Sequence, residues 1–185
     1  MKTKKTFIPF IVSLAAVLIA VISFFLPYTS MTGERRETKG EYLDKLAVEE
    51  IGITANEAID VSFVEYIKIY SHMISNDEAV GIAVCCLTVI CIIAFFTLLI
   101  VLFVCLRKAV PTIVFSLLDI GTFRILCWDF RDRGVIGNNK YVFSVSYYLF
   151  ILAMIVILAA AIWLLVIKIK DKKANKEQPI SEPDA

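Results

Sequence analysis

Histidine is almost absent from this chain: His72 is the only one in 185 residues. With no second imidazole, and no cysteine at ligand spacing from His72, a transition-metal site of ordinary composition has no ligand set. The five cysteines include no C-x-x-C pair, which excludes the usual thiol–disulfide exchange motif. Cys85, Cys86, Cys91, Cys105 and Cys127 all fall in or beside apolar runs, where thiols behave as small hydrophobes. The polar segment 28–78 has neither cysteine nor tryptophan and no N-x-S/T sequon, so nothing marks it as a disulfide-stapled or glycosylated ectodomain. No phosphate-cradling glycine loop and no nucleophile–base motif occurs. The residues therefore point to no enzyme and no cofactor. Charge of one sign is lacking too, with 19 Lys+Arg against 18 Asp+Glu, and no basic patch interleaves with aromatics. Nucleic acid is accordingly not an expected partner.

What the chain has is apolar length. Hydrophobic residues make up 59%, above the roughly 45–50% of soluble domains, and mean hydropathy is +0.78. Four runs reach the ~20 residues that cross a ~30 Å hydrocarbon layer as helix. The predicted layout is an N-terminal segment 1–6, spans over 7–26, 79–106, 110–128 and 142–167, outer loops 27–78 and 129–141, a turn at 107–109, and a disordered tail over 168–185. The fold class expected is an all-α membrane protein, four transmembrane helices in an antiparallel bundle with a partly helical first outer loop.

Lysines 2, 4 and 5 before the first run would also suit a secretory signal, but that run is about twenty residues long and ends in FFLPYTS. No A-x-A-like cleavage site follows, so an uncleaved helix is expected. Ser13, Ala16, Ala20 and Ser23 place four small residues on one of its faces, a surface for close helix approach. Within the long loop, TSMTGERRETKG reads as irregular, and Leu43, Leu46, Ala47 and Ile51 recur at helical spacing. Thr54–Glu57, Ser62–Glu65 and Ser75–Glu78 each fit a capping box. SFVEYIKIYSHMI predicts a short helix with Phe63, Ile67, Tyr70 and Ile74 along one side, lying on the bilayer surface or covering the outer mouth. The second run is long enough to tilt, and Pro111 suits the start of the third. Tyr147, Tyr148 and Trp163 stand near the ends of the fourth as interface anchors.

Charge sets the expected orientation. Ten Lys/Arg cluster at the N-terminus, the Arg107–Lys108 turn and the tail, and eight are spread over the two larger loops, the first of which is acidic. The positive-inside rule puts both termini in the cytoplasm and both loops outside, in the cell membrane. The tail lysines suit anionic lipid.

The third run is the unusual one, because Asp119 lies near its centre. An ionisable group in hydrocarbon costs at least about 2.5 kcal/mol on insertion scales. Thr112, Ser116 and Asp119, spaced 4 and 3, share a face that should look into the bundle or an oligomer contact. Thr88, Thr97 and Ser13 are the expected neighbours. Desolvation there favours the neutral carboxyl. Arg124 is five residues on, roughly 140° round the helix, a poor partner for Asp119 and placed to snorkel to headgroups. Asp119, Ser116, Thr112 and Arg124 are therefore the intramembrane polar candidates, for a proton- or cation-binding site or for hydrogen bonding across helices. Asp129, Arg131, Asp132 and Arg133 read as a solvated charge cluster.

Two segments carry a resemblance. Phe24–Pro27 (FFLP) ending the first helix, and VSFVEYIKIY before the second, are similar to small, uncharacterised four-span membrane proteins of Gram-positive bacteria. In layout alone the chain also resembles claudin-like tetraspans, whose Trp and paired Cys in the first loop are missing here. A quinone-linked thiol oxidoreductase of four helices would need C-x-x-C pairs. The expectation is a non-enzymatic interaction or regulatory component of the membrane, with the bilayer and another membrane protein or a second copy as partners. The alternative is a small oligomeric transporter or proton-linked channel subunit using Asp119.

Overall fold

The computed structural model describes residues 2–33, 58–137 and 141–176. The helical signal at 43–51, the Thr54–Glu57 box and residues 177–185 lie outside them. The described residues are mostly helical: α1 (Lys2–Ser23), α2 (Phe63–Ser75), α3 (Val80–Cys105), α4 (Ala109–Asp132) and α5 (Val145–Lys176), with short strands β1 (Thr29–Met31), β2 (Asp60–Val61) and β3 (Tyr141–Phe143). Within α1, α3, α4 and α5 lie stretches long and apolar enough to cross a membrane, with mean hydropathies of 2.5, 3.2, 1.6 and 3.2.

α1 lies along α5, α3 along α4, and α4 also against α5. The small-residue face of α1 is what allows the first contact: Ser13, Ala16, Ala20 and Ser23 are all buried. The core runs through Ile90, Ile93 and Ile100 of α3, Phe123 and Leu126 of α4, and Met154 and Ile157 of α5. The outside is equally apolar, with Phe95, Leu98, Leu117, Ile125, Leu152 and Ile155 exposed. Apolar outer faces on four helices of this length are the pattern of membrane-crossing segments by length and composition.

The sheet was not expected. β1 is its central strand, antiparallel to β2 through Thr29↔Val61 and Ser30↔Asp60, and to β3 through Thr29↔Phe143, Ser30↔Val142 and Met31↔Tyr141. It ties the two polar loops together. Backbone bonds extend the weld, from Tyr28 N to the Val61 carbonyl (2.8 Å), Ser144 N to the Tyr28 carbonyl (2.9 Å) and Ser146 N to the Pro27 carbonyl (3.0 Å).

Helix ends depart from expectation for local reasons. α1 gives way after Ser23 to tighter i→i−3 bonds at Phe24, Phe25 and Leu26 before Pro27, which cannot donate. α4 runs on to Asp132 rather than ending at 128. α5 continues to Lys176 rather than dissolving at 168, because Lys and Ala propagate a formed helix readily. Ser62 and Glu65 form the reciprocal capping box of α2. The Ser75–Glu78 box does not form. Ser75 Oγ instead donates to the His72 carbonyl, and α3 starts after Ala79, whose φ of 43° is left-handed.

Candidate functional site

Asp119 is fully buried on the inner face of α4, with Ser116 and Thr112 buried on the turns before it. Thr97 Oγ1 of α3 donates to Asp119 Oδ2 at 2.9 Å. The other two expected neighbours are turned to their own helices: Ser13 Oγ donates to the Pro9 carbonyl and Thr88 Oγ1 to the Val84 carbonyl. Thr112 Oγ1 does likewise, donating to the Lys108 carbonyl. Asp119 Oδ1 and Ser116 Oγ make no hydrogen bond among the described residues. The structure thus brings Asp119, Ser116 and Thr112 onto one buried strip. Arg124 is left out of it, exposed on another face of α4.

One turn beyond Asp119 the strip ends under aromatic rings. Phe123 stacks on Phe150 at 4.5 Å between centroids, and Tyr28 meets Phe123 at 5.8 Å, Phe130 at 5.8 Å and Phe63 at 4.6 Å. Tyr28 is fully buried, and its hydroxyl shares a hydrogen bond with Cys127 Sγ at 3.2 Å. Tyr66 closes the layer, sharing a 2.8 Å hydrogen bond with Thr29. Edge-to-face and offset pairs of this kind add about 0.5–1.5 kcal/mol each beyond area burial. Burial holds the Tyr28, Tyr66 and Tyr70 phenols well above their ordinary range. The α2 face that covers the helices is Phe63, Tyr66 and Tyr70, with Ile74 packed against the core beside them; of the expected stripe only Ile67 turns away and is exposed.

The charge cluster at the end of α4 is only partly solvated. Arg133 forms an ion pair with Asp129, their side chains 23% and 34% exposed. Arg133 Nη2 also donates to Cys86 Sγ of α3 at 2.9 Å and to the Tyr70 hydroxyl of α2 at 3.4 Å, while Cys86 Sγ donates to Asp129 Oδ2 at 3.5 Å. Burial disfavours the Arg133 charge, but Asp129 and Tyr70 outweigh it and hold the guanidinium above its ordinary range. Asp129 and Arg133 could have been paired from their i, i+4 spacing. Nothing local announces Cys86 and Tyr70 as their neighbours. At the opposite end, Arg107 lies over the Phe10 ring at 4.4 Å, and Lys168 Nζ donates to the Arg107 carbonyl.

Comparison with protein-family models, curated proteins and solved structures found no match. What the arrangement can do must come from its own chemistry. It offers a buried polar strip, an aromatic cap over one end of it and an anchored ion pair.

Proposed function

We propose that this chain is a multi-pass protein of the cell membrane, its four long helices an antiparallel bundle with both termini cytoplasmic. It acts without catalysis, binding or regulating another membrane component through its loop-end cap and helix faces. The observation that carries this reading is the Tyr28 ring layer across the polar strip. A conduit through Asp119 would have to pass between Phe123, Phe130, Phe63 and Phe150, all fully or almost fully buried with Tyr28. A cap welded by β1 and backed by Tyr66 and Tyr70 is instead a preorganised surface, presenting Ile67, Lys68 and Ser71 of α2 and Val142 of β3. Rigid presentation lowers the ordering cost of association.

A second reading has one observation in its favour. The unbonded Asp119 Oδ1 and Ser116 Oγ suit a buried proton or cation site in a small oligomeric transporter or channel subunit. Mild-detergent extraction from native membranes, followed by intact-complex mass determination, decides between the two. A foreign protein bound at fixed stoichiometry, and retained by Asp119→Asn, is expected. A chain alone or self-associated, with pH-driven ion flux lost in Asp119→Asn, would overturn the interaction reading.

A further inference from the structure

Arg124 makes no hydrogen bond or ion pair among the described residues. Its neighbours on the same side of the molecule form a hollow between α4 and α5. Phe123, Phe150 and Met154 are its buried floor, and Ile151, the exposed Ile155 and Arg124 lie at its rim. The hollow measures about 220 Å³, several times the roughly 30 Å³ of one liquid water, and its lining is apolar except for Arg124. Water is a poor occupant of such a lining, because it would find one polar partner where it needs two to four.

Position along the helix adds to this. Arg124 stands eight residues before the end of α4, about 12 Å along the axis at 1.5 Å per residue. Trp128, one turn beyond on the same face, is 68% exposed, and Tyr148 at the start of α5 is 63% exposed. Exposed Trp and Tyr mark the headgroup level of a membrane helix. The Arg124 stem can rise to that level while the hollow stays at acyl-chain depth. A cation at the headgroup boundary above an apolar slot complements a molecule with an anion at one end and a hydrocarbon chain at the other.

We propose that the α4–α5 hollow is a binding site for one anionic phospholipid of the loop-side leaflet, its phosphate on Arg124 and part of one acyl chain over Phe123, Phe150 and Met154. The site rests on the membrane-spanning reading above. A guanidinium offers forked donors that match phosphate oxygens, and the slot distinguishes this site from a surface charge that attracts any anionic lipid.

The full-length protein is reconstituted in vesicles of equal phosphatidylglycerol and phosphatidylcholine, then released into the gas phase from mild detergent with its retained lipids counted. One phosphatidylglycerol per chain, in preference to phosphatidylcholine, is expected. Arg124→Gln should lower that retention about five-fold, the scale of one charge near an anionic surface. Ile155→Trp, a rim change that keeps Arg124 and leaves the core alone, should also lower it by filling the slot. Equal retention of both lipids, or undiminished retention in either folded variant, overturns the site. So does a dimer that Arg124→Gln dissociates, because a second copy then fills the hollow. Alkaline carbonate extraction of the source membranes separates the two levels of inference. A released chain defeats the membrane reading and the site with it, whereas a retained chain with lipid-indifferent variants defeats the site alone.

Discussion

Asp119 has one hydrogen bond that it uses and one oxygen that it does not, and this asymmetry fixes what single substitutions should do. Thr97→Val removes the donor at 2.9 Å from Oδ2 and leaves a buried carboxyl without any partner, which costs about 1–3 kcal/mol. Replacing both ends, Thr97→Val with Asp119→Leu, removes the stranded group along with its partner. The double variant should recover most of that loss, because a polar pair exchanged for apolar groups is nearly neutral. Thermal melting in detergent checks both. If the double variant is as unstable as the sum of the two single changes, Asp119 has further partners that hold the helices together. Asp119→Asn keeps an acceptor for Thr97 and should leave folding intact, which is what makes it a clean probe for flux.

Helix and strand elements differ in how much of them a sequence can announce. The four long helices were legible because each is a sustained apolar run bounded by Lys, Pro or polar clusters. The cap at Ser62 was legible because Glu65 sits three residues on. The strands were not, since β2 is two residues long and β1 and β3 three each, too short for alternation to register. Their pairing depends on where α1 and α5 deliver the chain. The polar strip was readable from spacing within one helix, and Thr97 was among its expected partners. The Arg133–Cys86–Tyr70 contacts join three elements and leave no trace in any one of them. The failed Ser75–Glu78 box carries its own test. Ala79 adopts φ 43° and Asp77 φ 59°, a conformation that costs a residue with a Cβ about 1–2 kcal/mol. Ala79→Gly relieves this, less about 0.4–1 kcal/mol for the freer unfolded chain, so a net gain of about 0.5 kcal/mol is expected. Ser62→Ala should instead cost about 1 kcal/mol by uncapping α2. If Ala79→Gly melts lower than the parent, the left-handed turn is not where α3 begins.

At the scale of the whole molecule, Tyr28 is the point where both loops, α2 and two of the long helices meet. It touches rings from Phe63, Tyr66, Phe123, Phe130, Phe143 and Tyr147, so the cap and the long helices should unfold as one unit. Tyr28→Ala empties that point and should cost about 3–5 kcal/mol, as large aromatic truncations do. Alkaline pH offers a gentler probe with a definite sign. The free phenol titrates near 10.0, and burial raises Tyr28, Tyr66 and Tyr70 above it. Below pH 10 these groups are neutral in both folded and unfolded chains, so the stability linked to them is complete. Above it, the unfolded chain releases protons that the folded chain retains, and stability falls as pH rises. Three of the seven tyrosines should therefore ionise only as the protein unfolds, seen as tyrosinate absorbance appearing together with loss of helical circular dichroism. Tyr28→Phe sharpens the test. At neutral pH it loses the Cys127 hydrogen bond, worth about 1 kcal/mol, but it also removes one of the three groups that drive alkaline unfolding. Its deficit against the parent should narrow between pH 9 and pH 11. Parallel curves over that range would mean that the Tyr28 hydroxyl reaches water, and that the ring layer above Asp119 is not closed.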